Sequence, residues 1–127
     1  MFKETVICII IVVAIVSLDI FIQGYTQGTT SEITQIFADL KGEILKEDKT
    51  QIENKVKSLD EKWGQKHDAL AYYIEHDELE KVDTAIVSMK SYVETEDYSS
   101  AASELDVGKF VLEHIQKKYK FNLVNVF

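Results

Sequence analysis

The sequence predicts an all-α protein: an N-terminal transmembrane helix, then an antiparallel bundle of about four helices arranged as hairpins, then a short extended C-terminal tail. Three observations carry that expectation. An apolar run lies within the first twenty-two residues; apolar residues afterwards recur in steps of three and four; and the chain contains no proline. Steps of three and four place side chains on one face of a helix, whereas a half-buried strand alternates every second residue.

The apolar run, Val6 to Ile22, is broken by Asp19 and a tolerable Ser17. At 1.5 Å per residue it makes about 25 Å of helix, a short but sufficient span. A charge near the end of a span reaches the interface at modest cost. The bilayer contact is therefore assigned to residues 5–23. The run length through Ile22 favours a retained signal-anchor over a cleaved signal peptide, for which Gly24 would provide only a mediocre site. Lys3 and the amino terminus precede the span and the next lysine is Lys41, which sets the N-terminus in the cytoplasm and the remainder outside. The expected division is a signal-anchor over 1–25 and an extracytoplasmic helical domain over 26–127.

Four ladders follow. Gly24 and Gly28 bracket a polar stretch that reads as a hinge or a frayed turn. Ile33, Ile36, Phe37, Leu40 and Ile44 form the first amphipathic face, with Ser31 as its cap, and Lys46–Lys49 is too polar to pack. Thr50 and Glu53 match a capping box. They would open a long helix over 50–75, with rungs at Ile52, Val56, Leu59, Trp63, Leu70, Tyr73 and Ile74, one rung being absent near Lys66 or His67. Gly64 lies inside it, where a neighbour would come close. Asp77–Glu80 resembles a second capping box, followed by Leu79, Val82, Ile86, Met89 and Val93. Thr95–Asp97 closes that helix and caps the last, whose rungs are Ala101, Leu105, Gly108, Leu112, Ile115 and Tyr119; its small residues suit a close helix approach. Phe121–Phe127 departs from the helical pattern, and an extended tail packed on the bundle is expected there. Sustained heptads also admit a coiled-coil dimer, so a homo-oligomer stays open.

The order of Trp63, the segment Glu75-His76-Asp77-Glu78-Leu79, Tyr92-Val93 and Asn125-Val126-Phe127 behind a single N-terminal span resembles an uncharacterised family of short, single-span, helical proteins of low-GC Gram-positive bacteria, domain-of-unknown-function family 4363. The resemblance covers nearly the whole chain. It implies a location and an architecture, and no reaction.

Composition narrows function. Fourteen lysines, no arginine and 22 acids leave a net charge of −8. Phosphate binding needs clustered cations and base reading leans on the arginine fork, so nucleic acid is not expected as a partner. The lone Cys8 excludes an intramolecular disulfide. No serine lies in a nucleophile elbow, the five glycines form no phosphate loop, and no carboxylate pair stands out. Hence no enzyme and no cofactor are expected. The ten acids of Glu75–Asp106 lack calcium-loop spacing and read as a solvated face.

One constellation deserves a chemical test. Antiparallel pairing of the last two helices around residues 95–96 would set Glu75 and His76 beside Glu113 and His114, two histidines and two carboxylates, a donor set for zinc. Adjacent residues on a helix diverge by about 100°, however, and the spacing of a di-iron bundle is absent. The expected function is thus an accessory or protein-interaction subunit with a protein partner, which can itself be a membrane protein. Its contact residues are expected at Trp63, Tyr72, Tyr73, His76, Glu78, Phe121 and Phe127. The alternative is a metal-ion or small-ligand sensor using His76 and His114.

Overall fold

The structure, a computed structural model, describes the backbone of residues 1–126 and the side chains of residues 1–119. Among these it contains four helices and no strand: α1 (Phe2–Lys46), α2 (Lys49–Leu70), α3 (His76–Glu94) and α4 (Tyr98–Val126). They run up-down-up-down. The backbones of α1 and α2, of α1 and α4, and of α3 and α4 approach closely. The circuit is completed between α2 and α3 by longer side chains.

The ladders read from the sequence are the core. Ile33, Phe37, Leu40 and Ile44 of α1 meet Ile52, Leu59, Trp63 and Leu70 of α2, Leu79, Val82, Ile86 and Met89 of α3, and Ala101, Leu105, Leu112 and Ile115 of α4. Opposite charges mark the register of three of the neighbouring pairs: Lys62 with Glu32 at 3.2 Å, Lys41 with Asp106 at 2.9 Å and Lys90 with Asp60 at 2.6 Å. These pairs are part exposed, so each stabilises by no more than about 1 kcal/mol and serves mainly to favour one alignment.

Four local expectations are corrected. First, α1 passes through Gly24 and Gly28 without a hinge. Glycine weakens a helix by about 1 kcal/mol but does not end it. Here the flanking turn is clamped: Gln23 and Gln27 donate to the main-chain carbonyls of Tyr119 and Gln116 on α4, and Gln116 donates to the Ser31 hydroxyl. The buried Thr30 satisfies its own hydroxyl by donating to the Thr26 carbonyl at 2.7 Å.

Second, α2 is capped by Asp48, whose carboxylate accepts the Gln51 N–H, and not by Thr50, which lies already inside the helix. Asp is the stronger cap. Third, α2 stops at Leu70, not at 75. Tyr73 and Ile74 N–H groups both donate to the Leu70 carbonyl, a tight turn that returns Ile74 to the core. Nothing local breaks the helix there; burial of Ile74 and Leu79 together requires the reversal. Glu75, extended, then stands as the residue preceding α3, in place of the Asp77 capping box, and its side chain makes no capping bond. Fourth, α4 remains helical to Val126 where an extended tail was expected. With neither glycine nor proline after Gly108, the backbone has no reason to leave the helix.

Of the close approaches expected at Gly64 and at the small residues of the last helix, the second occurs, at Gly108. A Cβ on Gly64 would meet nothing within 4 Å, whereas one on Gly108 would collide with the ring of Phe37. The α3–α4 turn follows the sequence reading: Glu96 adopts the left-handed conformation, the Asp97 N–H reaches back to the Tyr92 carbonyl, and the Asp97 carboxylate caps α4 at Ser100.

Candidate functional site

The apolar half of α1 leaves the bundle at one end, here called the exit end. That end gathers the α2–α3 turn, the start of α3 and the later turns of α4. Most of the residues singled out from the sequence lie on or near it.

Glu78, in the first turn of α3, is 7 % exposed. Its Oε1 accepts from the Lys118 ammonium at 3.2 Å and lies 3.8 Å from His114 Nε2. Its Oε2 accepts no hydrogen bond among the described residues. Lys118 also reaches Glu75 at 3.3 Å. Those two carboxylates hold the Lys118 ammonium above its ordinary pKa, the Glu78 hydrogen bond being the larger cause. Beside it, the Tyr119 hydroxyl accepts the Glu75 main-chain N–H at 2.9 Å, tying α4 to the start of α3. Burial pushes the Tyr119 phenol up, against the lowering effect of that bond.

The geometry separates the four residues considered as metal ligands. Glu75 turns to Lys118; His76 is exposed and pairs with Glu80 along its own helix; Glu113 is exposed; His114 faces Glu78. No group of three or more potential ligands converges among the described residues. A lysine ammonium sits between the two carboxylates. The antiparallel register read from the sequence is right to within about a turn, but adjacent residues point apart, as the helical geometry requires.

The expected contact residues divide in the same way. Trp63 is 6 % exposed. Its indole N–H donates to Asp83 at 2.5 Å, the second Asp83 oxygen lies 3.2 Å from His67, and the Trp63 and His67 rings pack edge to face. His67 thus fills the rung missing from the α2 ladder. Trp63 and Glu78 are consumed by internal contacts. Tyr72, by contrast, is 85 % exposed, Tyr73 is part exposed, and His76 lies at the surface. The Phe121 and Phe127 side chains lie outside the described residues.

Sequence reasoning passed over Lys118 and Asp83. A lysine and an aspartate on amphipathic helices read as solvated unless the opposing helix is known. Tyr119 was visible as a core rung, but not its bond to Glu75. An apolar patch on the outward face of α4, Val107 and Phe110, was also missed because it falls between ladder positions; Phe110 is 71 % exposed. The nearby groove between α3 and α4, lined by Glu80, Lys81, Thr84, Val107 and Val111, is open to solvent.

Fold and exit end together define a helical bundle carried on a continuous helix whose projecting half is long and apolar enough to cross a membrane. The family model for Domain of unknown function (DUF4363) matches residues 20–126, and the chain belongs to that family. No curated protein and no solved structure matches it.

Proposed function

We propose that this chain is a single-pass membrane protein whose acidic helical domain lies outside the cytoplasm and works as an accessory subunit, contacting a protein partner and catalysing no reaction. The observation that carries this reading is the division of apolar surface. The bundle closes its own core, yet α1 projects an unburied apolar half and α4 presents Val107 and Phe110 outward. An exposed aromatic beside a branched aliphatic, rimmed by polar residues, is the kind of patch that proteins use for contact. The polar groups of Trp63, His67 and Asp83 are instead spent on internal bonds.

The test is crosslinking in native membranes, followed by capture of a tagged copy in mild detergent and mass spectrometry, with Phe110→Lys alongside. Phe110 is exposed, so the substitution leaves stability within about 0.5 kcal/mol. A stoichiometric protein captured with the native chain and lost with Phe110→Lys supports the reading. Recovery of the chain alone from both overturns it.

A further inference from the structure

The exit end carries a cluster of tyrosines at the edge of the core, against which Tyr25 packs. Tyr25 of α1 and Tyr73 of the α2–α3 turn meet edge to face at 6.4 Å between ring centroids, and Tyr72 lies 6.5 Å beyond Tyr73. The Lys66 ammonium lies 5.8 Å from the centre of the Tyr25 ring. Tyr72, the outermost, is almost free of protein contact.

We propose that this tyrosine cluster is a membrane-interface contact: the α2–α3 turn seats the bundle on the lipid headgroup layer. The inference rests on α1 spanning the bilayer, and it follows from distance. Ile22 ends the apolar run, and Tyr25 is three residues further on, about 4.5 Å along the axis. The headgroup region on each side of the hydrocarbon is roughly 5–8 Å deep. Because α1 has no hinge between these residues, nothing lets the bundle stand away from the bilayer. Tyr25 falls within the headgroup layer, and the turn beside it lies at the same level. Tyrosine favours that layer because its ring is apolar and its hydroxyl polar, and a lysine stem lies along apolar surface with its ammonium in water.

Charge selects the kind of lipid contact. The same end carries Lys66, Lys117 and Lys118 against Asp68, Glu75, Asp77 and Glu78, and Lys118 is already engaged by Glu75 and Glu78. It is not a polybasic patch, so the contact is carried by rings and does not require anionic lipid.

The test uses the full chain in phosphatidylcholine vesicles. An environment-sensitive fluorophore is placed by Tyr72→Cys in a Cys8→Ser background, and by Leu45→Cys at the opposite end of the bundle as reference. Native Cys8, labelled in the otherwise unchanged chain, reports the span. Trp63 emission confirms folding in each case. Quenching by headgroup-spin-labelled lipid is expected to be at least about threefold stronger at position 72 than at 45, the two lying roughly 35 Å apart along the bundle axis. Equal quenching at 72 and 45, with Cys8 quenched by acyl-chain spin label, overturns the seating while the span stands; the turn is then left to water or a protein. If Cys8 is not quenched either, the span fails and the seating with it.

Discussion

The ring of Phe37 lies against the backbone of Gly108, filling the space that a Cβ would occupy. Phe37 is fully buried, so this contact sets how closely α1 and α4 approach. Gly108→Ala gains about 1 kcal/mol of helix propensity but forces overpacking that costs about 1–3 kcal/mol. A net loss is expected, and Phe37→Leu should relieve it in the double variant. Gly64→Ala, facing open space, should instead stabilise by about 1 kcal/mol. Urea midpoints of the three variants decide; stabilisation by Gly108→Ala would show that the ring can yield.

Glu47 and Glu96 close α1 and α3 at φ 57° and 58°, in the left-handed region that suits glycine. Glu47→Gly should stabilise by about 0.5–1 kcal/mol. Glu96→Gly should gain less, because Glu96 also pairs with Lys49 at 3.6 Å, an exposed pair worth about 0–1 kcal/mol. Thermal midpoints in the opposite order would refute the account.

Trp63 donates to Asp83, and Asp83 is also shared with His67. Trp63→Phe keeps an aromatic in the core and removes the donor. The expected loss is about 1–2 kcal/mol, moderated because Asp83 is part exposed and water can replace the indole. Asp83→Asn, which keeps an acceptor, should cost less. A double-variant cycle in urea measures the coupling, and a coupling of zero would mean that the short contact contributes nothing.

Stability should fall on the alkaline side. Lys118 has a folded pKa above its unfolded value, so the contribution of its charged form is complete below the unfolded pKa and is lost as pH rises through the folded one. Tyr119, whose phenol is also raised, acts in the same direction: the unfolded chain ionises first and is favoured. Both effects begin near pH 10. Urea midpoints of the full chain in detergent should decline above that pH, and Lys118→Met should flatten part of the slope. An unchanged slope would place the alkaline loss elsewhere.

The helical class, the four ladders and the Asp97 cap were legible in the sequence because each depends on spacing along one helix. Leu40 and Ile44, or Val82 and Ile86, are one turn apart in any helix, and an apolar face must be covered. The projecting half of α1 was legible as well, as an apolar run from Val6 to Ile22 with too few polar residues to form a solvated face.

What crosses between helices was not legible. Whether His76 or Glu78 faces His114 depends on a rotation of α3 by less than one turn, and the sequence carries no record of it. The end of α2 at Leu70 and the continuity of α1 past Gly24 likewise have no local signal; Ile74 returning to the core decides one, and Gln23 and Gln27 bonding to α4 support the other. By itself, then, the sequence determined which faces must be buried and where the apolar run lies. Tertiary structure alone decided which polar groups are spent inside, as Trp63, Asp83, Glu78 and Lys118 are, and which aromatics, Tyr72 and Phe110, remain for the surroundings. The physical reason is that helical periodicity is a property of one segment, whereas a hydrogen bond or an ion pair between helices needs two segments at a particular rotation and height.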